Sequence, residues 1–487
     1  MANAELGVPS MVGELLQRGV GVHSSAMLDA EQAAVERSFG NRSIRILFAT
    51  PTLAQGLNLP ADVVVVAGSS LGDYRKADTL RGVRSSDATI LNAFGRAGRA
   101  MVANHGLAVL VSDTPFFGPL HEGVGVNSVV QRYSLLSGSD RCVQVTSPIE
   151  SFIERLSPDE PLDAYSLEEL ELVAQLGQER DQDDSVLSYT FGAYLAQRQQ
   201  RELSLEAAAG RVRDIGVRLV EQYSMPEWMP SAAMKGGIDL LTCWRLWRSL
   251  NQLNNPLEAF ATNDLKDCLS LFIKVMERMP PKDIRKILPD NVRAMNTVLD
   301  RMLELIGRDE YAVEWTIPDG WSELWSELAI LIWKYMSGST YADMATLFLS
   351  MESENIHGRR SQGQAPIPAI FSFVGRVLHH LSIYAGALLV ILEESNFIDD
   401  QIGEMPLLPL CIRNGCFNRD SWDWFKYGYR NRMAAHEFAL KFPIPEAIRD
   451  DSDIKRWIKV RRKEWLRGDV VETEADALKS VRLIIKS

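Results

Sequence analysis

The chain has 487 residues, room for about two to four domains, and its 46% hydrophobic content excludes a disordered polymer. A net charge of −12 excludes a protein that coats nucleic acid along its whole surface, while leaving a local basic groove open. Five scattered cysteines (Cys142, Cys243, Cys268, Cys411, Cys416) exclude a disulfide framework and point to a reduced, cytoplasmic setting.

In chain order, "MANAELGVPSM" lacks the basic and apolar regions of a secretory signal. The run "GVGVHSS" at 19–25 predicts a strand, and "LDAEQAAVERSF" at 28–39 an amphipathic helix. "IRILFAT" at 44–50 and "DVVVVAGS" at 62–69 are continuous apolar strands, the kind found in parallel sheets. A helical turn around "LNAFGRAGRA" at 91–100 leads to a last strand, "HGLAVLVS" at 105–112. Strands alternating with helices at this spacing predict βαβ units. Beyond about residue 126 the apolar spacing becomes i, i+3/i+4 and predicts helices throughout. The most apolar run, "LSIYAGALLVIL" at 381–392, is shorter than a bilayer span and predicts a buried core helix rather than a membrane segment.

Three blocks carry chemistry: "GVGVHSSAM", "ILFATPTLAQGLNLPADVVVVAG" and "LNAFGRAGRA". Arg96 and Arg99 lie three residues apart beside Gly95 and Gly98, and two guanidinium groups so placed suit phosphate. Thr50 and Thr52 follow a buried strand, where short hydroxyls and backbone N–H groups can meet a nucleic-acid phosphate. In order, these blocks resemble the second RecA-like domain of superfamily 2 DEAD/DEAH-box helicases, the superkiller-type branch above all. Motif V of that branch matches Ala49, Thr50, Thr52, Leu53, Ala54, Gly56, Asn58, Leu59, Pro60 and Ala61, and its motif VI matches Gly95, Arg96, Ala97, Gly98 and Arg99.

The resemblance implies catalytic arginines at Arg96 and Arg99, facing ATP and Mg²⁺ across a cleft, with Asn92 at a position usually held by Gln. It further implies nucleotide-side roles for Gly56, Asn58 and Gly95. His23, at the first position of a family His-His pair whose second member is here Ser24, is expected to touch nucleic acid, as are Thr50 and Thr52. No G-x-x-x-x-G-K-[ST] occurs in the sequence. The D-E pairs in "SPDEPLD" and "GRDEYAV" follow no apolar strand and so do not form a Mg²⁺-holding block. The expectation is an α/β unit that lacks the first strand of its RecA-like sheet and works with an N-terminal ATP-binding half, in cis or in trans.

In the helical remainder, "LPLCIRNGCFNRDSWDWFKYGYRNRMAAHEF" at 408–438 interleaves basic and aromatic residues. Arg430, Arg432 and Trp424 are its candidates for contact with single-stranded nucleic acid, against an aromatic core with a solvated basic face. "KRWIKVRRKEWLR" at 455–467 carries seven basic residues and one acid, suiting a phosphate track or a solvated helix. No set of residues has metal-ligand spacing.

The sequence therefore predicts an α/β fold followed by a mostly α region. A truncated RecA-like parallel-sheet domain spans 1–125, a helical connector 126–225 and an α-helical C-terminal region 226–487. The expected function is that of the C-terminal portion of an ATP-dependent helicase acting on single-stranded or partly duplex nucleic acid, with no membrane involved. The alternative is a non-catalytic binding module that retains a relic helicase domain.

Overall fold

The computed structural model describes residues 2–24, 27–50, 61–67, 90, 92–98, 105–111, 194, 198, 202–253, 260–262, 264–288, 298–306, 317–350, 367–395, 403–448 and 450–467. The chain divides into two compact units, one built from 8–143 and one from 3–7 together with 144–487. The described residues are mostly helical, with two small parallel sheets.

In the first unit, the order is α2 (Met11–Gln17), β1 (Val20–His23), α3 (Asp29–Gly40), β2 (Ile46–Ala49), β3 (Val63–Ala67) and β4 (Leu107–Val111); α1 (Ala2–Leu6) precedes them. Ser10 caps α2 by accepting the Gly13 N–H, and its hydroxyl reaches Glu31 Oε1 at 2.5 Å. Glu31 also accepts the Leu28 N–H, so one buried carboxylate ties the starts of α2 and α3 together. β1 pairs with β2 in parallel, Val20 opposite Ile46 and His23 opposite Ala49; β3 pairs with β4, Val63 opposite Leu107.

One face of the β1–β2 pair is covered. The Gly21 backbone packs against Val35 of α3, Ile44 and Leu47 so closely that a Cβ there would collide. The other face is open, with Ile46 at 54% and Phe48 at 64% exposure. The β3–β4 pair repeats the pattern: Val63, Val65, Leu107 and Val111 are all exposed, while Val66 is buried. The period-2 alternation of the strands thus sorts each sheet into a covered and an uncovered apolar face.

The second unit takes α1 and the helices α4 (Glu202–Gln222), α5 (Met229–Gly236), α6 (Leu240–Asn251), α7 (Leu265–Glu277), α8 (Pro281–Ile287), α9 (Val298–Ile306), α10 (Trp321–Met336) and α11 (Tyr341–Ser350). It continues through α12 (Ile367–Ser372), a π-turn at Phe373–Leu378, α13 (His379–Glu394), α14 (Leu408–Asn414) and α15 (Arg419–Asp423). A second π-turn (Trp424–Gly428), α16 (Arg432–Lys441) and α17 (Asp451–Arg467) complete it. The helical stretch Ile370–Glu394 is long and apolar enough to cross a bilayer. It packs instead against α5, α6 and α14, burying Leu381, Tyr384, Ala385, Leu388, Ile391 and Leu392 in the core.

A buried polar network stitches α6 to α8. Asp239 caps α6 through the Thr242 N–H at 2.7 Å. Arg245 donates to both oxygens of Asp283 at 3.0 Å, and Lys286 reaches Asp239 at 2.8 Å. Asp283 is wholly buried, and the Arg245 guanidinium, the Thr242 hydroxyl at 2.9 Å and the Lys286 ammonium at 3.6 Å supply the partners that a buried carboxyl group needs.

Candidate functional site

The segments around Ala61 and Arg96 meet through backbone. The Ala61 N–H donates to the Arg96 carbonyl at 3.2 Å, and the Gly98 N–H donates back to the Ala61 carbonyl at 3.0 Å. The two segments form a short parallel bridge, Ala61 opposite Ala97. One residue on, the Leu107 N–H donates to the Asp62 carbonyl at 3.0 Å, which starts the β3–β4 ladder. The loop bearing Arg96 is thus joined to the start of β3.

Glycine makes this approach possible. Gly98 has φ +63°, and a Cβ on it would sit 2.5 Å from the Gly106 nitrogen; one on Gly106 would sit 2.4 Å from Gly98. No side chain fits between the two backbones, which is the physical reason for the second glycine of "GRAGR". The helical turn Asn92–Phe94 hands over to this loop through Arg96 N–H to Ala93 O and Ala97 N–H to Phe94 O, at 3.1 and 3.0 Å. Asn92 and Gly95 are exposed and Arg96 is half-buried. Arg99, Thr52, Gly56 and Asn58 lie outside the described residues.

At the end of β2, the Thr50 N–H donates to the His23 carbonyl at 3.1 Å, extending the β1–β2 ladder by one step. Thr50 itself is exposed at the C-terminal edge of β2. Ligands of open parallel sheets gather at this edge, outside the carboxyl ends of the strands. His23 departs from its expected role as a nucleic-acid contact. Its ring is buried, with Nε2 2.9 Å from Glu36 Oε1 on α3, because the alternation along β1 turns position 23 to the helix-covered face with Gly21.

Two of the three candidates in the helical unit are core residues, correcting their expected place at a nucleic-acid surface. Trp424 is fully buried: its indole N–H donates to the Phe442 carbonyl at 3.1 Å, and its ring stacks on Phe438 at 4.8 Å. No ring face is left for a base. Arg432 is buried as well. Its guanidinium donates to Glu5 Oε1, the Tyr335 carbonyl and the Ser339 carbonyl at 3.0, 3.1 and 2.8 Å, and lies over the rings of Tyr335 and Tyr341. Burial in that setting pushes the Tyr335 hydroxyl up to about 12. Arg430, by contrast, is exposed.

The described cysteines offer no nucleophile. Cys243, Cys268, Cys411 and Cys416 are free and buried, and burial pushes the Cys243, Cys268 and Cys416 thiols up to about 12.

Comparison with known proteins bears on the same chemistry. No family model matches the chain. About a fifth of it is similar to curated helicases. It is 40% identical over 100 residues to the DExH-box ATP-dependent RNA helicase DExH14 of Arabidopsis thaliana, 20% of this chain and 4% of that protein. It is 35% identical over 104 residues to the ATP-dependent DNA helicase MER3 of Saccharomyces cerevisiae, 21% of this chain and 8% of that protein. It is also 35% identical over 100 residues to the U5 small nuclear ribonucleoprotein 200 kDa helicase of Drosophila melanogaster, 20% of this chain and 4% of that protein. The chain therefore spans less than a tenth of the length of these relatives, and it contains a helicase-related stretch of about 100 residues.

Proposed function

We propose that this chain supplies the motif V and motif VI side of an ATP-dependent helicase, superkiller-type, acting on a nucleic-acid strand. In this reading ATP and Mg²⁺ are held by a half that carries the P-loop, in cis or in trans, and Arg96 and Arg99 reach across to the γ-phosphate. Hydrolysis spreads negative charge over the γ-phosphoryl oxygens, and a guanidinium supplied across the cleft stabilises that charge. Asn92 adds an amide donor beside it, with Gly95, Gly56 and Asn58 on the nucleotide side and Thr50 and Thr52 toward the strand.

The observation that carries the reading is the pair of hydrogen bonds between Ala61 and the Arg96–Gly98 loop. A displacement of the arginine loop on hydrolysis is felt by motif V at once, because a backbone bridge joins them. That is the mechanical requirement for coupling nucleotide state to a strand gripped at Thr50. The similarity of about 100 residues to ATP-dependent helicases supports the same reading. The open faces of both sheets supply an apolar surface against which a second half can close. The reading places the protein in the cytoplasm, consistent with free thiols at the four described cysteines.

The test is ATP turnover by this chain combined with a P-loop-bearing helicase half, with and without a single-stranded oligonucleotide. The expected result is turnover only in the combination, raised by the oligonucleotide. Turnover by the P-loop half that is indifferent to this chain contradicts the proposal.

A further inference from the structure

The final described helix carries a charge pattern that the core does not explain. Between 455 and 463, α17 holds six basic residues (Lys455, Arg456, Lys459, Arg461, Arg462, Lys463) and no acid, in a chain of net charge −12. Two of its three acids, Asp451 and Asp453, sit in the first turn, and the third, Glu464, follows the run. Asp451 is held by Lys426 at 2.9 Å and the Tyr427 hydroxyl at 2.5 Å, and Asp453 by Arg456 at 3.4 Å. Helix-dipole complementarity favours cations only in the last turn of a helix. The basic run begins in the second turn of a helix that continues to Arg467, so the dipole does not account for it.

The helix is firmly mounted. Ile454 and Ile458 are buried and Trp457 meets the edge of Trp424, so the i, i+3, i+4 face belongs to the aromatic core under α16. The other side presents Lys455, Lys459 and Lys463, all exposed and spaced i, i+4, i+8. That row advances about 6 Å per lysine along the helix axis. No carboxylate pairs with these three among the described residues. Two guanidinium groups of the same run lie over rings, Arg461 5.5 Å from the Trp457 ring and Arg462 4.7 Å from the Tyr429 ring. Stacking on rings fixes where these charges sit and lowers the ordering cost of binding an anion.

We propose that this face of α17 is a track for the sugar-phosphate backbone of a nucleic-acid strand. The inference rests on the proposed reading of the chain as part of a nucleic-acid motor and gives that motor a second grip, on the helical unit. A row of evenly spaced cations suits a polymer of evenly spaced anions. An anionic membrane suits it poorly, because a membrane-surface helix must bury an apolar face in the lipid, and the apolar face of α17 is committed to the core. Val460 is the one large hydrophobic on the outward side among residues 451–463.

The experiment is fluorescence anisotropy of a labelled single-stranded oligonucleotide with the full chain across a salt series. The parent chain is compared with a Lys455→Ala/Lys459→Ala/Lys463→Ala variant and with the same three positions changed to Arg. Each phosphate contact on a single strand contributes roughly 0.7 to the log–log salt slope, so the Ala variant flattens the slope by about 2. From about 1 M salt down to about 0.1 M, that difference grows to about 100-fold in affinity. The Arg variant retains the parental slope, and both variants keep the parental melting temperature, since all three side chains are solvent-exposed. If the parent binds and the Ala variant keeps its slope, the α17 track is wrong while the nucleic-acid reading stands. If the parent binds no oligonucleotide, both fall. Lysine-dependent binding to phosphatidylserine vesicles with oligonucleotide binding untouched also overturns the proposal, in favour of a membrane.

Discussion

The two units differ in where their bulkiest hydrophobic residues lie. In the helical unit the largest aromatic side chains are inside: Trp321, Trp325, Trp424, Phe272, Phe373 and Phe438 are all fully buried, and exposed hydrophobics such as Ile330 and Leu440 stand singly on helices. In the α/β unit, Ile46, Phe48, Val63, Val65, Leu107 and Val111 stand on strand faces that are each about half exposed or more. Parallel strands normally have both faces covered, and these read as such strands in their composition. The helical unit therefore carries its own core, whereas the α/β unit presents an apolar surface of the kind that closes against more protein. On the proposed reading, that surface is where the nucleotide-binding half belongs.

This contrast can be broken by mutation. The largest stability effects are expected in the helical unit. Trp424→Ala empties a fully buried site and orphans the Phe442 carbonyl, for a loss of about 3–5 kcal/mol in denaturant unfolding. Arg432→Ala takes the buried guanidinium from Glu5 and from the Tyr335 and Ser339 carbonyls, leaving Glu5 only the Asn431 amide at 3.2 Å, and is expected to cost about 3–5 kcal/mol. A loss below about 1 kcal/mol for either would mean that these side chains are surface-like after all.

A smaller effect of opposite sign is expected at Asp423. Burial pushes its carboxyl up to about 6, with Arg419 offsetting only part of that rise. The folded state then holds this proton more tightly than the unfolded chain, so the contribution of Asp423 to stability is most favourable below about pH 4 and is lost as the pH rises through about 6. Asp423→Asn removes the penalty and is expected to stabilise the protein by about 1–3 kcal/mol at pH 8, fading to nothing near pH 4. Thermal melts of parent and variant across that range check both sign and window. The smallest effect is expected on the open sheet face. Phe48→Ser should change the stability of this chain by no more than about 0.5 kcal/mol, yet weaken its assembly with a P-loop-bearing half. A large destabilisation of the chain alone would show that Phe48 is already packed.

Much of the α/β unit was legible in the sequence, because its signals are local. The four apolar runs became β1 to β4, and the amphipathic run at 28–39 became α3 with one residue's shift. The second glycine of "GRAGR" was legible as part of a motif, and its reason appears only with Gly106 across from it. Side-chain direction was harder to read. His23 lies on a four-residue strand, too short for its own alternation to show which face α3 would cover. In 408–438 the helical period is interrupted by a π-turn at 424–428 and by extended backbone at Tyr429 and Asn431. A reading at constant 3.6-residue period therefore misplaces Trp424. Arg432 was the least legible. Its partner Glu5 lies 427 residues away, and no window of sequence holds both.

The most direct test of the central claim is the turnover of ATP by this chain assembled with a P-loop-bearing half, measured with Arg96 intact and with Arg96→Ala. A guanidinium that acts on the charge of the transition state contributes little to binding the ground state. The account predicts a fall of roughly 10³–10⁵ in turnover with ATP affinity nearly unchanged, and poor rescue by Arg96→Lys, whose point charge lacks the planar fork. Turnover by the Arg96→Ala assembly at close to the parental rate would contradict it.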